Sequence, residues 1–229
     1  MKVMVLKTLC LALACLCMSC TASDDDGDGY KYPQLVAELC DVYTTEPKEL
    51  GYAVTDSDER LTFSYHVHAP WATERETCYR ALLYYNKVEH SPNVHATTQA
   101  ISAKMAIVLI PKTPEEAKDW YDNSDPLSLA TAWFAKNGKY LNLCLDIKSG
   151  STDSEDTRQS LGIICEGTDK AESGDRYHYR LCHAQNNVPA YYTVSQYASI
   201  PTADLKSGDI ITLEIPTWKG IVKKEFIKP

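Results

Sequence analysis

The chain has 229 residues, net charge −8, nine cysteines and fifteen tyrosines. The acidic balance, with no basic cluster, excludes nucleic acid as a partner, because phosphates must be neutralised by Lys and Arg. After the leader described below, the length leaves room for one large or two small domains with proper cores.

The N-terminus carries Lys2 and then an apolar run from Val3 to Cys17, broken only by Lys7 and Thr8. A basic start and an apolar stretch of roughly 7–15 residues are the pattern of a secretory leader. The run falls short of the ~20 residues that span a hydrocarbon core, so a retained membrane helix is not expected. Leu16-Cys17-Met18-Ser19-Cys20 resembles the bacterial lipoprotein signal, with cleavage after Ser19 and lipid on Cys20. That implies residues 1–19 as signal peptide and a membrane partner reached through the acyl chains on Cys20. Residues 20–30, including Ser23-Asp24-Asp25-Asp26-Gly27-Asp28-Gly29, are too polar to pack and read as an acidic flexible tether. A lipidated cysteine followed by Ser-Asp-Asp-Asp resembles the export signal of Bacteroidetes lipoproteins. The address this implies is the outer membrane, facing the cell exterior.

The body predicts an all-β protein with little helix. Apolar and polar residues alternate in short runs, the mark of sheet with one wet face. In the first half these runs are Leu35–Tyr43, Arg60–His68, Cys78–Val88 and Ala103–Ile110. In Arg60–His68 the odd positions, Leu61, Phe63, Tyr65 and Val67, are expected to point inward. The second half offers Leu129–Lys136, Lys139–Lys148, Ser160–Glu166, Tyr177–His183, Val194–Ile200, Asp209–Ile215 and Val222–Ile227. Asn137-Gly138 predicts a type I′ hairpin turn, since both residue types tolerate positive φ. Thr113-Pro114-Glu115-Glu116 has the form of a capping box and predicts a short helix over 113–121. The expected organisation is a small OB-like barrel over 31–112, then an antiparallel β-sandwich over 113–229.

Five cysteines lie beyond Cys20: Cys40, Cys78, Cys144, Cys165 and Cys182. An odd number with no close spacing is not a disulfide framework, and free thiols are expected. Period-two reading puts Cys165 inward, with Cys144 and Cys182 on the outer faces of their strands.

No catalytic constellation emerges. His66 and His68 share a strand face but supply only two of the four ligands a closed metal site needs, so no metal is expected. Cys182 and His183 are strand neighbours whose side chains point apart, which denies a nucleophile its base. His183, Gln185, Asn186 and Asn187 read instead as loop-shaping residues. Glu74 and Glu76 flank Arg75 in a stretch that reads as an exposed loop, whereas a glycosidase pair needs two carboxyls from different elements across a cleft. Phosphate-binding, dinucleotide and hydrolase motifs are missing, so neither a cofactor nor an enzyme is expected. Trp71, Trp120 and Trp218 fall in loop or edge settings and are the candidate ligand contacts, for a protein partner or a glycan at the cell surface.

Several segments together resemble the NigD-like lipoproteins of Bacteroidetes. They are Thr77-Cys78-Tyr79-Arg80-Ala81-Leu82-Leu83-Tyr84-Tyr85, Asp125-Pro126-Leu127-Ser128-Leu129, Trp133-Phe134-Ala135-Lys136-Asn137-Gly138-Lys139-Tyr140-Leu141-Asn142, His183-Ala184-Gln185-Asn186-Asn187-Val188-Pro189-Ala190-Tyr191-Tyr192-Thr193, Gly208-Asp209 and Trp218-Lys219-Gly220. The resemblance runs over nearly the whole chain. It implies the OB-like barrel followed by a sandwich, and a non-enzymatic binding or accessory role linked by the family's name to bacteriocin immunity.

Overall fold

The computed structural model describes residues 35–86, 97–151, 158–172 and 174–229. The leader, Cys20 and the acidic tether lie outside them. The described residues are all β, without a helix.

Five strands close the first module into a barrel: β1 (Leu35–Glu46), β2 (Glu49–Thr55), β3 (Arg60–His68), β4 (Cys78–Asn86) and β5 (Thr97–Met105). Their order around the barrel is β1-β2-β3-β5-β4. The interior is filled by Cys40, Val42, Leu50, Ala53, Leu61, Phe63, Ala81, Leu83 and Tyr85. Strand β2 lacks the simple alternation of the others. The pairing shifts between Leu50↔Val67 and Tyr52↔Thr62, so both Leu50 and Ala53 point inward across an irregularity at Gly51. The same shift turns Tyr65 out to 80% exposure, against the inward orientation expected from its odd position.

The chain then joins the second module through β6 (Ile107–Val108), which pairs with β11 (Tyr192–Pro201). The remaining strands are β7 (Ser128–Phe134), β8 (Tyr140–Ser149), β9 (Ser160–Lys170), β10 (Asp175–Ala184), β12 (Ile210–Thr217) and β13 (Gly220–Ile227). They form two four-stranded sheets, β6-β11-β8-β7 and β13-β12-β10-β9. Each is antiparallel except for one parallel pair, β6 with β11 and β10 with β12. Leu141, Leu143, Leu145 and Ile147 of β8 meet Ile163, Leu181, Ile211, Leu213 and Ile215 of the facing sheet in one buried core. The period-two reading of these strands therefore gives the correct inner face.

It does not say what covers the outer face. Cys144 and Cys182 do lie opposite the sandwich core, yet both are buried. Cys144 sits on the same face of β8 as Asn142, the face turned toward the barrel. Cys182 is covered by residues 113–123, with Ala117, Ile164, Trp120 and Tyr121 around it. In that segment the capping box forms: Thr113 N–H donates to Glu116 Oε2 at 2.8 Å, and Glu116 N–H to Thr113 Oγ1 at 3.4 Å. The expected helix does not follow. After one bond from Ala117 N–H to Thr113 O, the chain closes three-residue turns, Trp120 to Ala117 and Asn123 to Trp120. Docking Trp120 against Gly162 fixes this path, since a Cβ at Gly162 would lie 2.5 Å from the indole.

The Asn137-Gly138 hairpin is also real but of another type. Gly138 alone has positive φ, and its N–H closes a turn on Ala135 O at 2.9 Å. Asn137 is drawn to the barrel instead, its N–H donating to Asp56 O and its amide to Asp58. All five cysteines are free.

Candidate functional site

The polar groups that meet inside the molecule converge on Arg80, in the middle of β4. Alternation along Tyr79-Arg80-Ala81-Leu82-Leu83 puts Ala81 and Leu83 in the barrel interior, so Arg80 and Leu82 project outward. The barrel packs this face on β8 and β11, and the Arg80 side chain is left 1% exposed. Its Nη1 donates to Asp41 Oδ1 at 3.1 Å and its Nη2 to Asp56 Oδ1 at 2.6 Å, both from the barrel. From the sandwich side, Asn142 Oδ1 accepts from Nη2 at 3.1 Å and Ser199 Oγ from Nε at 3.2 Å. Asn142 Nδ2 donates to Asp56 Oδ2 at 2.7 Å, Ser199 Oγ donates to Asn142 Oδ1 at 2.8 Å, and the guanidinium lies 4.2 Å from the Tyr140 ring centre. Burial, then the nearby Asp41 charge, push the Tyr140 phenol up to about 12, so it stays neutral.

An arginine taken out of water needs this degree of satisfaction. Every nitrogen of the fork is engaged, and both Asp56 oxygens are used. The cluster therefore has the chemistry of a joint. Ser199 Oγ has an amide and a guanidinium as partners and no base, so nothing activates it as a nucleophile.

Beside the joint lies a cleft of about 350 Å³ between the modules. Its floor is the apolar contact of Leu39 and Leu82 with Tyr84 and Tyr197. Trp133 and Phe134 from β7 line the far side, and Ser57 and Lys136 stand at its edge. Trp133 pairs across the ladder with Asn142, which places it on the barrel-facing side of the sheet, 38% exposed.

The tryptophans expected as ligand contacts are dispersed. Trp71 follows β3 and packs against the barrel core, edge-on to Tyr79 at 5.7 Å. Trp120 lines a separate cleft of about 380 Å³ with Lys112, Asn123, Leu161 and Cys182. Trp218 caps the β12–β13 hairpin, 51% exposed, at a third depression beside Leu129 and Val222. No described cleft is lined by more than one of the three. His66 and His68 are on the wet side of β3, and His68 Nδ1 lies 3.2 Å from Glu49. His183 is fully buried and holds the following loop: its Nδ1–H donates to Asp125 O at 3.1 Å, and Asp125 Oδ2 accepts from Gln185 N–H at 2.7 Å. Asn186 and Asn187 both take positive φ in that loop.

Neither a family profile nor a curated relative matches the chain. Solved structures do. The fold matches a NigD-like immunity protein from Bacteroides caccae with a TM-score of 0.60 at 20% identity, covering 87% of this chain and 100% of that one. The chain has the fold of that immunity protein. A candidate toxin-related protein from Parabacteroides distasonis matches at 0.60 and 14% identity, over 84% of this chain and 92% of its own. A candidate lipoprotein from Bacteroides fragilis matches at 0.53 and 10% identity, over 86% and 99%. The resemblance drawn from sequence to NigD-like proteins is thus met by a shared fold along the described body.

In the sequence, Arg80 and Trp133 stand out only within the segments of the resemblance, and neither is singled out there as a site residue. A weak signal existed for each. Arg80 interrupts an otherwise apolar and aromatic strand, and Trp133 has the strand parity of the outward face.

Proposed function

We propose that this protein is a non-enzymatic, lipid-anchored accessory protein of the bacterial outer surface that acts by binding another protein, in the manner of a bacteriocin immunity factor. The carrying observation is the match of the whole two-module body to the Bacteroides caccae immunity protein, with no part of that chain left over. The leader over residues 1–19, the Cys20 that follows it and the acidic tether support the anchor and the address. The internal polar cluster supports a binding rather than a catalytic role, because Arg80, Asp56, Asn142 and Ser199 are spent on one another.

Protection is the test. The full-length chain and a Cys20→Ala variant are expressed in a Bacteroides strain sensitive to secreted bacteriocins, and survival is scored against supernatants of producer strains. The anchored protein raises survival against at least one producer, and the unanchored variant loses that protection. Equal killing with and without a surface-displayed wild-type protein, across the producers, overturns the reading.

A further inference from the structure

The cleft beside the Arg80 joint has a composition that the joint does not use. Its floor, Leu39 and Leu82, is apolar and its walls are aromatic. Around that surface stand polar groups with unspent capacity. Among the described residues, the Lys136 ammonium, the Trp133 indole N–H and the Tyr84 hydroxyl have no hydrogen-bond partner, and Ser57 Oγ shares only one side-chain bond, with Thr55 at 3.0 Å. The two acidic side chains on the cleft are already engaged: Asp56 by Arg80 and Asn142, Glu38 by the Tyr85 hydroxyl. The cleft therefore offers an aromatic face and scattered neutral or donor groups, without a concentration of one charge. Its volume of about 350 Å³ falls in the range of small-ligand sites, and such sites favour domain junctions.

We propose that this cleft binds a short neutral saccharide, with one sugar ring stacked on Trp133. A pyranose has an apolar C–H face that lies on an aromatic ring, and a rim of hydroxyls that both donate and accept. Trp133 and the apolar floor suit the first, and Ser57, Tyr84 and Lys136 suit the second. An aliphatic side chain of a protein would fill the floor but leave those polar groups covered without partners, which carries a penalty. A phosphate or polyanion would need more than the one free cation the cleft presents. The Arg80 joint holds the barrel wall of the cleft against the sheet whose edge strand carries Trp133. The inference does not rest on the protein-partner reading; a saccharide in this cleft is compatible with a protein partner elsewhere.

The experiment is titration calorimetry and saturation-transfer NMR on the full-length protein in detergent. The probes are mono- to tetrasaccharides of glucose, galactose, mannose and N-acetylglucosamine. Trp133→Ala and Trp120→Ala are compared with wild type, with folding of each checked by circular dichroism and melting. At least one probe binds with millimolar or tighter affinity, Trp133→Ala weakens it at least tenfold, and Trp120→Ala, which alters the separate cleft, leaves it within twofold. Tyr84→Phe, which keeps the ring and removes the hydroxyl, weakens binding by a smaller factor. No binding by any probe, or binding that survives Trp133→Ala, or binding lost in Trp120→Ala, overturns the proposal.

Discussion

Arg80 shows how a single buried charge can decide where two modules meet. Removing a guanidinium from water is costly, and only the combination of Asp41, Asp56, Asn142 and Ser199 offsets it. Truncating one partner is worse than never having had the group, because the others stay buried without it. Arg80→Ala is expected to cost about 3–5 kcal/mol of unfolding free energy, read from urea denaturation. Arg80→Lys should recover little of this, since an ammonium cannot reproduce the fork that serves both carboxylates and both sandwich-side oxygens. His183 supplies the second residue-scale expectation. Burial holds its imidazole below its ordinary value, outweighing the Asp125 carbonyl, and Nε2 is buried with no partner among the described residues. The unfolded chain then binds the proton more readily than the folded one, so stability rises with pH in that window. It is fully present above about 6.5, the unfolded value, and declines as pH falls from there toward the lower folded value. In His183→Gln the wild-type fall in melting temperature between pH 7 and pH 5 should become shallower.

At the scale of elements, the inner faces of β8, β10 and β12 were legible from the alternation of their sequences, and so was that of β3 except at Tyr65. Two things were not. The irregularity at Gly51 breaks the period of β2, so Leu50 and Ala53 share the interior at a spacing no regular strand gives. The outer faces of β8 and β10 look wet in sequence but are covered, one by the barrel and the other by residues 113–123. Coverage is a tertiary event that period-two patterning cannot encode. Residues 113–123 make the point energetically: Thr113 and Glu116 start a helix, and packing of Trp120 on Gly162 redirects it. Gly162→Ala should therefore lift Trp120 from its seat and open the path to Cys182. The check is maleimide labelling read by mass spectrometry. In wild type, exposed Cys78 labels first and Cys40 last, since burial leaves that thiol unreactive as well as unreachable. In Gly162→Ala, Cys182 should label at least several-fold faster while Cys40 does not change.

For the whole molecule, the question is whether two cores make two proteins. The barrel and the sandwich each bury a separate apolar cluster, so each has the means to be a folding unit. What joins them is expensive to open: the Arg80 cluster, the bond from Ala106 N–H to Arg80 O, the Leu39–Leu82–Tyr197 contact and the reach of Asn137 and Lys139 to Asp56 and Asp58. Separating the modules would give up these bonds together and wet the apolar Leu39–Leu82–Tyr197 contact, so the native state should open its two cores together. Hydrogen exchange can read this directly. In wild type, the slowest amides of β4 in the barrel and of β8 in the sandwich should exchange with the same opening free energy. Asn142→Ala removes two bonds to the barrel, to Arg80 and Asp56, while leaving the Leu141 and Leu143 side of β8 intact. It is expected to lower protection of β4 by about 1–3 kcal/mol, the cost of leaving buried polar groups unsatisfied, with β8 losing less. The barrel then opens ahead of the sandwich. Equal losses in the two strands would mean that the cores are coupled by more than this joint, and unequal protection already in wild type would mean that they are hardly coupled at all.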